Sequence, residues 1–115
     1  MNQVGVITAQ VIQILGLDIE PDTPIFIGET NIVHMETEHG KEYELYGRLI
    51  GQIISSPTYI GYRKGSIEYI KELSEYVKVA VRVSSDGTYY ARTLYTLNPD
   101  RVDKMVAKGN LHPLT

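Results

Sequence analysis

The chain has no cysteine, no tryptophan and a single phenylalanine. Without cysteine there can be no disulfide, no thiolate metal ligand and no cysteine nucleophile. No run approaches the roughly 20 apolar residues of a membrane span, and the opening stretch MNQVGVITAQ lacks the basic residues and apolar core of a secretory leader. These absences lead to the expectation of a cytoplasmic protein without membrane contact. Bases are scarce in the first 44 positions, where Lys41 stands against Asp18, Glu20, Asp22, Glu29, Glu36, Glu38, Glu42 and Glu44. The rest of the chain reverses the balance with ten bases and six acids, so a net charge of −3 conceals an acidic N-terminal part and a basic C-terminal one. A chain acidic overall binds nucleic acid poorly without specificity, so any polyanion contact has to be local.

What is present points to a soluble globular protein: 115 residues, 43% hydrophobic and 22% charged, enough for one domain spanning 1–115 and one core. Nine tyrosines serve equally as core, as sheet packing or as stacking platforms. Apolar residues at Ile7, Val11, Ile14 and Leu15 have helical spacing, with Thr8 as an N-cap and Gly16 as a stop. IFIGE reads as a short strand ended by Gly28; Thr30 or Asn31 can cap a helix carrying His34, which His39-Gly40 ends or bends. A second helix runs from Glu42 to Ser55 and stops at Pro57.

Four strand-like segments follow: TYIGYR, SIEYIKEL, YVKVAVRVSS and TYYARTLYTL. In the third, Val77, Val79, Val81 and Val83 alternate with Lys78, Ala80, Arg82 and Ser84. Lys64-Gly65-Ser66 turns the first pair, and Asp86-Gly87 the last. Asn98 or Pro99 opens a closing helix that Gly109 follows. The order predicts an α+β fold: N-terminal helices packed on a four-stranded antiparallel sheet, then a short C-terminal helix. The second face of that sheet is expected to be partly open, offering Lys78, Arg82 and tyrosines to an extended polyanion.

The chemistry-bearing residues are few. His34 and His39 are five residues apart, which is about 500° of helix and leaves their side chains about 140° apart; they can share a face only if the helix ends near Glu38. Their spacing is not the i, i+4 pair of a zinc helix. Each serves either as a capping, packing or solvated residue or as a general acid–base group. Arg82 and Arg92 sit in strands, where a guanidinium needs solvent, a carboxylate such as Glu68 or Glu72, or a phosphate. Thr93 follows Arg92, so the two should face opposite ways unless a bulge intervenes. GYRKGS lacks the following helix of a phosphate loop, and the serines have no visible His-Asp partners.

Four stretches in order, IGETNIVHM through His39 (27–39), SSPTYIG (55–61), GSIEYIKE (65–72) and VAVRVS to YYARTLY (79–95), carry a family resemblance. Over roughly residues 5–110 the chain resembles a phage-associated family of small nucleases within the barnase–EndoU–colicin tRNase–RelE group, the BECR fold. The resemblance implies metal-independent endoribonuclease activity without a cofactor, leaving a 2′,3′-cyclic phosphate. It also implies a phage- or mobile-element effector or toxin, with RNA, possibly tRNA, and an immunity or antitoxin protein as partners. Carried over by position, it assigns His34, His39, Arg82, Arg92 and Thr93 to catalysis, and Lys71 and Tyr95 to substrate binding. The chain departs from the family pattern at Gly40 and Thr58, where relatives tend to have proline and aspartate. The alternative is a non-catalytic RNA- or protein-binding module on the same fold.

Overall fold

Thr8 accepts a hydrogen bond from the Val11 amide at 3.2 Å, and Gly16 takes the left-handed conformation (φ +66°), so the first helix starts and stops where its caps dictate. The computed structural model describes residues 1–114. In chain order it comprises β1 (Asn2–Ile7), α1 (Ala9–Leu15), β2 (Thr23–Ile27), α2 (Glu29–Glu38) and α3 (Gly40–Tyr46). A 3-10 turn (Gly47–Leu49) leads into α4 (Ile50–Ser55), then β3 (Tyr59–Arg63), β4 (Ser66–Glu72), β5 (Tyr76–Val83), β6 (Tyr89–Leu97), α5 (Pro99–Ala107) and β7 (His112–Pro113). The class is α+β.

The expected antiparallel meander is present as β3–β4–β5–β6, but it is the middle of a larger sheet. Seven strands lie in the order β1-β2-β6-β5-β4-β3-β7, not four. The chain also begins with a strand and not a helix: Ile7 belongs to β1, which pairs antiparallel with β2. β2 in turn runs parallel to the start of β6 through Ile25↔Tyr89 and Phe26↔Tyr90. Beyond that point β6 is contacted by α2 and α3. The single helix expected over 42–55 is broken by the 3-10 turn at Gly47.

Cross-strand partners share a face. The row Ile60, Tyr69, Val79, Leu94 is fully buried in the main core, with Val11, Met35, Ile50, Ile53 and Ile54 from the helices. The next row, Tyr59, Ile70, Lys78, Tyr95, lies on the opposite face. There Ile70 and Leu97 join Val102, Met105 and Leu111 of α5 and the segment after it in a second cluster. α5 is secured by Asn98, whose side chain accepts from the Asp100 amide at 2.8 Å, with Pro99 at the first helical position. The second face is therefore partly covered, and Lys78, expected to be open to solvent, is buried. Among the described residues no helix is long and apolar enough to cross a membrane.

Candidate active site

The decisive local feature is an irregularity in β6. Pairing with β5 is regular from Leu97 back to Ala80↔Thr93, then resumes at Val81↔Ala91, so Arg92 has no partner residue. A bulge of this kind re-aims a side chain that strict alternation would send to the other face. Arg92 and Thr93, adjacent in sequence, accordingly line one groove of about 470 Å³ together with Thr30, Asn31 and His34.

The helical wall of the groove follows from spacing. His34 is four residues beyond Thr30 and three beyond Asn31, so all three occupy one face of α2. Gly28, not Thr30 or Asn31, is the N-cap. It has no side chain, and Asn31 reaches back instead, its Oδ1 accepting the Gly28 amide hydrogen at 2.8 Å. Thr30 and Asn31 lie in the first turn, where backbone N–H groups lack intrahelical acceptors and the helix dipole is positive. Across the groove, the Arg92 Nε is buried with no hydrogen-bond partner among the described residues. A buried, unpartnered guanidinium donor is uncommon and favours an anionic acceptor. His34 is exposed on the open side of the groove.

His39 is the residue between helices, with φ −141° and ψ 48° closing α2 and opening α3. Because α2 ends at Glu38, the 140° separation of a continuous helix does not apply. The His39 ring stacks on Tyr95 at 5.2 Å between centroids and 28° between planes, and its Nδ1 lies 3.5 Å from Glu42 Oε2. Tyr95 is two residues beyond Thr93 on the same face of β6, a step of about 7 Å. His39 therefore stands beside the groove. Lys78 Nζ lies 4.6 Å from the Tyr95 ring centroid and donates to Glu68 Oε2 at 2.5 Å; Arg63 Nε approaches the same oxygen at 3.9 Å.

Against this geometry, a family model described as phage-Barnase-EndoU-ColicinE5/D-RelE like nuclease3 (PBECR3) matches residues 2–104. The chain belongs to this family. No match was found among curated proteins or among solved structures. Membership in PBECR3 makes the chain nuclease-like and phage-associated, and the matched segment runs from β1 into α5, taking in every residue of the groove.

Two residues that the BECR resemblance assigns to the site stand apart from the groove, each with a partner of its own. Arg82 is exposed; its Nη2 donates to the Lys64 carbonyl in the β3–β4 turn and packs on Gly65. Lys71 Nζ donates to the Ser56 carbonyl at 2.6 Å, satisfying the C-terminal end of α4. Of the seven assigned positions, the fold unites His34, Arg92 and Thr93, sets His39 and Tyr95 next to them, and leaves Arg82 and Lys71 elsewhere. The sequence suggests only a capping role for Thr30 and Asn31; their i, i+4 and i, i+3 relation to His34 is the signal that they share its face. Among the described residues no group of three or more His, Cys, Asp or Glu side chains is placed to hold a metal ion.

Proposed function

We propose that the chain is an endoribonuclease that cleaves by internal transfer. A base removes the ribose 2′-hydroxyl proton, and the oxygen attacks the adjacent phosphorus in line. The phosphorus–O5′ bond breaks, an acid protonates the departing oxygen, and a 2′,3′-cyclic phosphate and a 5′-hydroxyl result. The observation that carries this reading is the bulge that brings Arg92 and Thr93 into one groove with His34 and the first turn of α2. Arg92 and the first turn of α2 offer positive potential to the phosphate, which gains negative charge in the transition state. The Thr93 hydroxyl donates to a phosphate oxygen, and His34 moves the proton. His39, one strand step away, is the second acid–base group once RNA lies along β6.

One observation favours a second reading, RNA binding without cleavage: only His34 of the two histidines lines the groove, whereas the reaction uses both a base and an acid. Incubation of purified protein with total RNA and tRNA in EDTA, beside His34→Ala and Arg92→Ala, separates the two. Fragments ending in cyclic phosphate, lost in both variants, support catalysis. Intact RNA across pH 5 to 8, retained by the protein in a salt-sensitive way, supports binding alone.

A further inference from the structure

The groove does not end at Arg92. A second hollow of about 270 Å³ shares Thr30, Asn31 and Arg92 with it and continues past Gly28 to Tyr90 and Ser84. We propose that this continuation is a subsite for the nucleobase next to the bound phosphate, with Tyr90 as its stacking platform. The inference rests on the reading of the Arg92 groove as a phosphate site and adds to it what the site recognises.

Three features carry it. Tyr90 precedes the bulge on β6, opposite Arg82, and is only partly buried. Its ring lines the hollow while its hydroxyl donates to Met1 Sδ at 3.6 Å. An aromatic face bordering a groove that holds a guanidinium is the usual provision for single-stranded nucleic acid, in which bases stack and the backbone is neutralised. The volume, just under the roughly 300–1,000 Å³ of pockets for drug-sized molecules, suits one base.

Asn31 adds selectivity. Its Oδ1 is occupied by the Gly28 amide, which leaves Nδ2 as a pure donor at the junction of the two hollows. Arg92 also only donates. The Thr30 and Ser84 hydroxyls of the hollow can accept as well as donate, so the selectivity lies with Asn31: set against the 4-position of a stacked pyrimidine, its Nδ2 favours uracil, which has a carbonyl there, over cytosine, which has an amine. The backbone geometry supports a close fit, because a Cβ on Gly28 would stand 3.3 Å from Asn31 Oδ1 and 3.9 Å from the Tyr90 ring.

Calorimetric titration of the intact chain with uridine 3′-monophosphate, cytidine 3′-monophosphate and inorganic phosphate tests this without requiring cleavage. Uridine 3′-monophosphate is expected to bind roughly tenfold more tightly than inorganic phosphate, and more tightly than its cytidine counterpart. Tyr90→Leu should remove most of the advantage over inorganic phosphate and leave phosphate binding itself unchanged; Tyr90→Phe should keep it. Equal binding of uridine 3′-monophosphate and inorganic phosphate by the unmodified chain overturns the subsite, whatever the variants do. Proportional weakening of both ligands in Tyr90→Leu also overturns it, showing that the ring only supports the fold. Equal binding of the two nucleotides removes the role given to Asn31. If inorganic phosphate does not bind at all, the phosphate site fails first, a result distinguishable from failure of the base subsite alone.

Discussion

Lys78 on β5 donates to Glu68 on β4 at 2.5 Å, and both residues are about 3% exposed. Charges so placed are costly to desolvate and become more costly when one partner is removed. Glu68→Gln or Lys78→Met should each destabilise the fold by about 3–5 kcal/mol, whereas a double replacement by apolar residues of similar volume should recover most of the loss. Urea denaturation of the four proteins checks this; additive losses in the double variant would show that the pair does not act as a unit.

Arg92 is assigned to the phosphate, so its removal should cost rate and not stability. Arg92→Ala should lower the proposed cleavage by about 10²–10³-fold and shift the unfolding midpoint little, because its Nε has no hydrogen-bond partner to lose among the described residues. Arg92→Lys, which keeps the charge but not the planar fork, should recover only part of the rate. Single-turnover cleavage with a parallel thermal melt measures both.

The His39–Tyr95 stack holds the junction of α2 and α3 against β6. A double-mutant cycle on His39→Gln and Tyr95→Leu should give a coupling of about 0.5–1.5 kcal/mol. A coupling near zero would mean that the rings adjoin without holding the junction.

Gly61 is a close-approach position. A Cβ there would fall 2.7 Å from the Asn110 carbonyl oxygen and 2.9 Å from Leu111 Cδ2, and the first of these is backbone that cannot rotate away. Gly61→Ala should push the segment before β7 off β3 and destabilise by about 1–3 kcal/mol, with amide exchange rising first around residues 110–113.

Tyr69 is fully buried, and its hydroxyl has no hydrogen-bond partner among the described residues. Burial pushes its phenol well above the usual tyrosine value of about 10. The unfolded chain then loses this proton before the folded one does, so the contribution is fully present below about pH 10 and declines as pH rises further. Tyr69→Phe should be neutral or slightly stabilising at pH 7 and should flatten the alkaline decline. Melting temperatures between pH 7 and 11 decide it.

Local chemistry made the central meander legible. Val77, Val79 and Val81 alternate into the core as their spacing implies, and Lys64 and Gly65 both take positive φ in the turn between β3 and β4. β1 was not legible, because its pattern is short and Gly5 weakens it as a strand. The structure supplies the reason: a Cβ at Gly5 would stand 2.9 Å from Ile54 Cγ2 of α4. Lys78 looked solvated because a charge on a strand usually is; its burial depends on Glu68, ten residues away, and on α5 covering that face. Arg82 had the right chemistry for a phosphate but not the right neighbours, since the β3–β4 turn already offers it a carbonyl. The bulge was the least legible element, because YYARTLY reads equally well as an unbroken strand, and only the count of residues against β5 reveals the extra one.

That extra residue leaves a trace that can be read without coordinates. β6 spans one residue more, from the Asp86-Gly87 turn to the Asn98 cap, than β5 can pair. Loss of a single codon there would smooth the sheet and at the same stroke dissolve the Arg92–Thr93 arrangement. Regularity of the sheet and the shape of the groove thus pull on this strand in opposite directions. Strand length at this place is the groove's signature: the surplus residue makes the arrangement, and its deletion from this chain would unmake it.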